Sequence, residues 1–316
     1  MDAVRNAVAG IAGVFLIATV FIGWIMMVIL PFLSGDTPNV DFGTLIAFTV
    51  GSLIVWRVAE GGQTRVLNEN PDSSTGHTAN GTTNNPNARG SILPGDWASA
   101  LTRKGVGETD IQSILSRAYF QSGFRPTQPE KKDVFRAFTL TPLSAIKTVI
   151  VAQDPYAASG HADGLAFSTR ASGRVPYSLA RIFENLESDA GLNFRRPDSC
   201  DLSPWARQGV LLLNSSLTVV ENDPGSHREL WRSFTRSVLE ILNEKTDPVV
   251  FLLWGDAANE LADSIPINER KHLVIRSTHP RLQSASRYPR FADTRPFSEA
   301  NNFLRRHGRG DVNWQL

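Results

Sequence analysis

The side chains best suited to chemistry lie in residues 147–170. An apolar run at 148–151 predicts a buried strand, and the sequence then breaks at residues 153–156, which read Gln-Asp-Pro-Tyr. The proline after Asp154 biases this acid towards an extended backbone and ends regular strand pairing. A carboxylate at the carboxyl end of an α/β strand lies where such sheets bind ligands. The alternative is a turn acid that only caps the next helix.

Two further predicted strands are followed by polar residues of a suggestive type. Asn214 ends the run GVLLLN, and His279 follows the run at 273–277. Because the carboxyl ends of parallel strands meet at one edge of a sheet, we expect Asp154, Asn214 and His279 to converge. A carboxylate can hold water or a cation, an amide can read the edge of a base, and an imidazole can face a developing oxyanion. Alternatively, Asn214 caps a turn and His279 is an ordinary loop histidine.

The elements that must position these residues alternate along the chain. Short apolar runs predict strands at 148–153, 209–214, 249–254 and 273–277. Amphipathic patterns predict one or more helices at 96–120 and single helices at 177–190, 229–242, 256–262 and 298–306. The alternation predicts an α/β fold with a central, mainly parallel four-stranded sheet flanked by helices.

Composition excludes some classes of protein. The chain has 316 residues and a formal net charge of +1, so total charge favours no particular partner. Its single cysteine, Cys200, excludes an internal disulfide framework and a cysteine-based metal site. His161 and His227 are not placed like a metal cluster, and we expect no metal and no cofactor.

The first 60 residues predict a membrane anchor. Residues 7–33 are almost wholly apolar, with no charge between Arg5 and Asp36. This run is longer than the ~20 residues that a transmembrane helix needs. A second apolar run at 42–56 is shorter and marginal for a span. A signal peptide is the other interpretation, but the apolar core is too long and no small-residue cleavage site follows neatly.

Charges beside the two runs predict an orientation. Arginines lie before the first run and after the second, whereas the short loop between them is acidic. The positive-inside tendency therefore puts both termini in the cytoplasm, with the chain anchored to the lipid bilayer as a helical hairpin. If the second run does not span, the downstream part lies outside. Residues 61–91 are rich in Asn, Gly, Thr and Ser and predict a flexible linker to a domain at 92–316.

Five ordered motifs in this domain resemble the family 1 uracil-DNA glycosylases. They are AQDPYA at 152–157, GLAFS at 164–168, WARQGVLLLN at 205–214, LLWG at 252–255 and HPRLQS at 279–284. The match runs from about residue 135 to the C-terminus. The resemblance implies a monomer that binds uracil-containing DNA and hydrolyses the N-glycosidic bond of deoxyuridine, in the first step of base excision repair.

The resemblance also implies roles for the pocket residues. Asp154 would position the attacking water and stabilise the positive charge that develops on the deoxyribose, and His279 would donate a hydrogen bond to uracil O2 as the base leaves. The other four implied residues hold the base: Gln153 through its backbone or side chain, Tyr156 against C5, Phe167 by stacking, and Asn214 at the O4/N3 edge.

The chain departs from the family pattern at several positions. Ala157 replaces a histidine, Ala152 replaces a glycine, and Asp256 stands where serine is common. A carboxylate at 256 would repel a DNA phosphate unless its side chain turns away. The family's proline-rich loop is shortened, so Ser178 is the best remaining candidate for a phosphate contact on that side.

The loop after His279 differs most. The family's intercalating leucine lies four residues after the histidine, where this chain has Gln283, with Leu282 one residue earlier. We expect DNA contacts from this loop, with arginines partly replacing the leucine wedge. The candidates are Arg281, Leu282, Gln283, Ser284 and Arg287.

Two other functions remain open. The chain could be a membrane-tethered module that binds uracil or DNA with little or no turnover, because the residues at the family's phosphate-binding positions have changed. It could also be a glycosylase with a shifted base preference. Cleavage of DNA that carries a single uracil separates these functions from the leading one.

Overall fold

A four-stranded parallel sheet forms the centre of the computed structural model, which describes residues 92–120, 125–284 and 286–316. The strands are β1 (Thr127–Gln128), β2 (Thr148–Ala152), β3 (Val210–Asn214), β4 (Val219–Val220), β5 (Val250–Trp254) and β6 (Leu273–Ser277). The central sheet has the order β3-β2-β5-β6, and each neighbouring pair is parallel. The predicted fold class is confirmed for this part of the chain. A short antiparallel pair of β1 and β4, which we did not predict, lies apart from it.

The strands take this arrangement because of their composition. Every residue of β2, β3 and β5 is buried, as expected for parallel strands that are covered on both faces. The sheet ends at β6, where Leu273, Val274 and Arg276 are only partly buried. The strand bounds agree with the prediction to within one residue at each end.

Eight α-helices surround the sheet in the described residues. They are α1 (Gly95–Arg103), α2 (Glu108–Phe120), α3 (Arg136–Leu140), α4 (Tyr177–Ser188), α5 (Ser203–Ala206), α6 (Arg228–Glu244), α7 (Asp256–Asp263) and α8 (Pro296–Arg306). The region at 96–120, predicted to hold one or more helices, contains two. The break falls at Gly105, whose φ of 78° lies in the left-handed region that favours glycine.

Buried aromatic side chains join the helices to the sheet in two clusters. Phe135, Phe138, Trp231 and Phe234 pack with ring centroids 5.4–6.1 Å apart. A second cluster surrounds Trp254, which ends β5 and contacts Phe291, Phe297 and Phe167. The second cluster therefore links the hydrophobic core directly to the carboxyl end of the sheet, where ligand sites form in this fold class.

The predicted membrane anchor at 1–60 and linker at 61–91 lie outside the described residues. Within residues 92–120, 125–284 and 286–316, no helix has the length and apolar character needed to cross a bilayer.

Candidate functional site

A cleft of about 390 Å³ opens at the carboxyl ends of the central strands. It is formed by the residues that end or follow β2, β5 and β6, together with Phe167, the start of α4 and the loop that precedes α6. The residues lining it are Ala152, Gln153, Asp154, Pro155, Tyr156, Ala157, Phe167, Ser178, Pro224, Trp254, Gly255, Asp256, Ala257, His279, Arg281 and Leu282. Asp154 and His279 therefore share one cavity, as their positions after parallel strands predicted.

Asp154 presents one free carboxylate oxygen. Its Oδ2 accepts hydrogen bonds from Gln153 Nε2 at 2.9 Å and from the backbone N–H of Gly225 at 2.9 Å. Its Oδ1 is buried and has no hydrogen-bond partner among the described residues. Burial raises the pKa of Asp154, although the two hydrogen bonds and the charge of Arg228 oppose that change. A fixed carboxylate with one unused oxygen is suited to hold a water molecule or face a cationic centre.

His279 is a neutral hydrogen-bond donor. Its Nδ1 accepts a hydrogen bond from the backbone N–H of Arg281 at 3.1 Å, so the proton of the neutral ring lies on Nε2. Burial, aided by the positive charge of Arg281, lowers the pKa of His279 to about 4. Above about pH 5 the ring is therefore uncharged, and its Nε2–H is available for an acceptor in the cleft.

The close approach of Gly255, which directly follows β5, positions His279. Gly255 has φ 97°, and a Cβ built there would lie 3.1 Å from the His279 Cβ. The backbone N–H of Gly255 also donates to the Ser277 carbonyl oxygen at 3.0 Å. A side chain at 255 would therefore displace His279 by a few tenths of an ångström, and it would adopt a backbone φ that side chains rarely take.

Phe167 occupies a strained backbone conformation. Its φ of 63° is left-handed, which is uncommon for a bulky residue and costs about 1–3 kcal/mol. The ring lies 5.5 Å from the Trp254 ring and 5.8 Å from the His279 ring, measured between centroids. Tyr156 restrains the residue, because its hydroxyl donates to the Phe167 carbonyl oxygen at 2.9 Å. The strain thus presents an aromatic ring to the cleft beside the imidazole.

A buried ionic network fixes the loop that carries Phe167. Asp163 Oδ2 accepts hydrogen bonds from Arg136 Nη1 at 2.7 Å and from Ser168 Oγ at 2.8 Å. Arg136 also contacts Asp201 and Ser203 near the start of α5. Burial raises the pKa of Asp163, against the hydrogen bond from Ser168 and the charge of Arg136. The network anchors both ends of the 163–168 loop and supports the strained residue between them.

Asn214 is not among the residues that line the cleft. It pairs in register with Ala152 at the end of β2, so it lies beside the first residue of the cleft wall. Its side chain is buried, and Oδ1 has no hydrogen-bond partner in the described structure. Buried amide oxygens are nearly always paired, so an unpaired one next to a cleft is a candidate ligand contact.

The predicted contacts at the rim divide into two groups. Ser178, Arg281 and Leu282 line the cleft, whereas Gln283, Ser284 and Arg287 do not. Gln283 Nε2 instead donates to the Tyr177 hydroxyl at 3.1 Å. Arg287 forms an ion pair with Asp263 at 2.6 Å. Whether these three residues contact a ligand stays a prediction.

Sequence reasoning missed three features of the cleft. Gly225 supplies a backbone donor to Asp154, Pro224 forms part of the wall, and Trp254 supports Phe167. The Asp-Pro-Gly turn at 223–225 was the available signal for the first two. Within the described residues, no group of three or more His, Cys, Asp or Glu side chains is arranged to hold a metal ion.

Comparison with known proteins gives consistent matches. The family model described as "Uracil DNA glycosylase superfamily" matches residues 138–305. The chain is 42% identical over 231 residues to a uracil-DNA glycosylase of Geobacillus kaustophilus, covering 71% of this chain and 96% of the relative. It is 46% identical over 226 residues to a uracil-DNA glycosylase of Agrobacterium fabrum, covering 71% and 88%. The crystal structure of mimivirus uracil-DNA glycosylase matches with a TM-score of 0.64 at 27% identity, covering 71% of this chain and 88% of that one.

Proposed function

The chain belongs to the uracil DNA glycosylase superfamily and is a uracil-DNA glycosylase, and from that premise we propose how its cleft hydrolyses the N-glycosidic bond of deoxyuridine. The observation that carries this mechanism is the pairing of Asp154, with its free Oδ1, and neutral His279 in one cavity. The target nucleotide leaves the base stack to enter the cleft, because the reacting bond is inaccessible within a duplex.

Asp154 acts on the sugar side of the bond. As the bond to uracil breaks, positive charge develops on the deoxyribose, and a nearby carboxylate stabilises that oxocarbenium-like transition state. The unpartnered Oδ1 holds the water molecule that then attacks the anomeric carbon. Oδ2 accepts the hydrogen bonds from Gln153 and Gly225, so Oδ1 is the oxygen available to the water and the sugar.

His279 acts on the leaving base. Uracil departs as an anion, and the Nε2–H donor stabilises the negative charge that develops on O2. A neutral donor suffices, and the low pKa of the ring keeps it neutral at physiological pH. Because both the donor and the carboxylate are positioned before the substrate binds, little reorganisation accompanies the reaction.

Three side chains select the base. Phe167 stacks on the uracil face, and Tyr156, whose hydroxyl is tied to the Phe167 carbonyl, excludes the methyl group of thymine at C5. Asn214 Oδ1 accepts a hydrogen bond from N3–H while its amide group donates to O4. Cytosine presents the opposite arrangement of donor and acceptor on this edge, so the same orientation of the amide rejects it.

Replacing Asn214 by alanine tests the reading of the base edge. The substitution removes both hydrogen bonds to uracil, and a bidentate pair of this type contributes about 1–3 kcal/mol. We expect kcat/KM on uracil DNA to fall about 10- to 100-fold while the protein remains folded. Steady-state kinetics measure the loss. An Asn214→Ala variant with unchanged kcat/KM would contradict the assignment.

Arg281 supplies the DNA contact beside the cleft. No carboxylate in the described residues pairs with its side chain, so its charge is available to a phosphate. We expect Arg281→Ala to weaken DNA binding and to reduce the slope of log affinity against log salt by about 1. Arg287→Ala should have a smaller effect, because Arg287 must first leave Asp263.

Titration of labelled DNA at several salt concentrations measures this effect. Arg305 is a matched control, because it pairs with Asp311 and lies outside the residues that line the cleft. If Arg281→Ala and Arg287→Ala both have the same DNA affinity and salt slope as Arg305→Ala, the loop after His279 does not bind DNA through its arginines.

The N-terminal segment tethers the enzyme to a membrane in this proposal. The apolar runs at 7–33 and 42–56 support a hairpin with the domain at 92–316 on the cytoplasmic side, joined by the polar linker. Fractionation of cells that express the full chain tests the tether. The protein should sediment with membranes and require detergent for release, and recovery in the soluble fraction without detergent would refute it.

A cleavage assay tests the proposed function. The purified full-length protein is incubated with a labelled oligonucleotide that carries one uracil, and abasic sites are then cleaved with alkali. Strand scission at the uracil position, and none in the thymine-containing control, is the expected result. Binding without scission would favour a non-catalytic module.

A further inference from the structure

Two exposed apolar side chains flank the cleft. Among the described residues, the exposed large hydrophobic side chains are Phe120, Tyr177 and Leu282, at 87%, 50% and 47% of full exposure. Phe120 ends α2, next to residues that the structure does not describe. Leu282 lines the cleft, and Tyr177 precedes Ser178, which also lines it. Apolar groups that concentrate at a cleft mark an interaction surface, whereas single scattered ones do not.

Three contacts hold the Tyr177 ring in place despite its exposure. Its hydroxyl accepts hydrogen bonds from Arg181 Nη2 at 3.0 Å and from Gln283 Nε2 at 3.1 Å. The guanidinium carbon of Arg181 lies 4.9 Å from the ring centroid. Arg181 is in turn paired with Glu184 on the next turn of α4. The ring is therefore an ordered, half-exposed surface and not a freely rotating side chain.

The contact with Gln283 joins two segments that are far apart in sequence. Tyr177 begins α4, whereas Gln283 belongs to the loop that carries Arg281 and Leu282 after β6. The hydrogen bond thus connects the start of α4 with the loop after β6 beside the cleft. Leu282 is next to Gln283 in sequence, so Leu282 and Tyr177 lie on the two segments that this hydrogen bond joins beside the cleft, where a nucleic-acid strand would pass when one of its nucleotides enters.

The local charge suits a nucleic-acid strand. Arg281 lines the cleft without an ion pair to any described carboxylate, and the exposed Arg174 lies three residues before Tyr177. Asp154 and Asp256 are the acidic side chains that line the same cleft. An aromatic ring beside arginines is the arrangement with which proteins bind single-stranded nucleic acid, because every base has a face that can stack on the ring.

We propose that Tyr177 is a stacking platform for the base adjacent to the extruded uridine, and that it favours single-stranded uracil DNA. This inference rests on the proposed function, since it requires a uridine in the cleft. In a duplex the adjacent base already stacks on its neighbours, so it gains little from the ring. In a single strand that base has lost part of its stacking, and stacking on the Tyr177 ring replaces the lost contact.

Kinetics on two substrates test the proposal. We expect Tyr177→Ala to raise KM for single-stranded uracil DNA about tenfold, with kcat unchanged and with a smaller effect on duplex DNA. Tyr177→Phe keeps the ring and should retain the wild-type KM on single strands. Gln283→Ala removes the hydrogen bond but leaves the ring, so its effect should be smaller than that of Tyr177→Ala.

A fluorescent base analogue provides a second readout, independent of turnover. 2-Aminopurine placed next to the uracil loses fluorescence when it stacks on an aromatic ring. Binding of the wild type and of Tyr177→Phe should quench it, whereas Tyr177→Ala should not. If the wild type releases uracil but Tyr177→Ala matches it in KM and in quenching, the platform is wrong and the glycosylase assignment stands. If the wild type releases no uracil, the proposed function fails and the platform fails with it.

Discussion

Replacing Asp154 by asparagine should reduce uracil release by about 10³-fold, the largest loss expected from any single substitution in this protein. The amide is nearly isosteric, so it can keep contacts with Gln153 and Gly225, but it carries no charge. It therefore cannot stabilise the developing cation on the sugar, and it activates water poorly. Single-turnover release of uracil from a short oligonucleotide measures the change, because it is insensitive to product dissociation.

The control for this prediction is the other carboxylate that lines the cleft. Asp256 is exposed and begins α7, and Asp256→Asn should leave the rate of the chemical step unchanged. Both variants should bind DNA at least as tightly as the wild type, since each loses a negative charge near the phosphates. Equal rates for Asp154→Asn and the wild type would exclude Asp154 from the chemistry.

The pH dependence of catalysis should follow Asp154. The carboxylate must be ionised to work, so kcat/KM should fall as pH falls through its pKa. Burial raises that pKa above the usual aspartate value, so the decline should begin at a higher pH than for an exposed aspartate. In Asp154→Asn this acid limb should disappear from the residual activity. An acid limb that persists unchanged would belong to another group.

Replacing His279 by alanine should reduce the rate by about 10²- to 10³-fold, the usual cost of one lost donor to a developing oxyanion. His279→Gln, which restores an N–H donor on a side chain of similar reach, should recover part of the loss. Because the ring is already neutral, wild-type activity should show no titration of His279 between pH 5 and 8. Single-turnover rates for the three proteins measure these effects.

The free energy of unfolding should also depend on pH through His279, and it should decrease as pH falls. The pKa of His279 is about 4 in the folded protein and near 6.5 in the unfolded chain, so between these values the unfolded chain binds the extra proton. The contribution of His279 to the free energy of unfolding is therefore complete above pH 6.5 and declines as pH falls towards 4. His279→Ala should lose this part of the pH dependence. A titration of the folded-state ring near pH 6.5, measured by NMR, would contradict the buried neutral imidazole.

Much of the site could be predicted because strand ends are easy to locate. The apolar runs fixed β2, β5 and β6 to within one residue, and parallel pairing then brought Asp154 and His279 to one edge. The same reasoning worked less well for Asn214. Asn214 is the last residue of β3, the outermost strand on its side of the sheet, and its side chain is buried beside the cleft instead of lining it.

The features that escaped prediction depend on tertiary contacts. The left-handed backbone of Phe167 has no local sequence signal. The ionic network has none either, because Arg136 lies 27 residues before its partner Asp163. The Gly225 donor to Asp154 joins residues 71 positions apart. The contact between Tyr177 and Gln283 was equally hidden, since only folding connects α4 with the loop that contains Gln283.

The most direct test of the central claim is the identity of the released base. The full-length protein is incubated with matched oligonucleotides that carry uracil, thymine or cytosine at one position, and free bases are quantified by mass spectrometry. The mechanism predicts one free uracil and one abasic site per uracil strand, none from thymine or cytosine, and near-loss of release in Asp154→Asn. Uracil DNA that is bound but left intact by the wild type, or release that is unaffected by Asp154→Asn, would contradict the assignment of the cleft as the catalytic site.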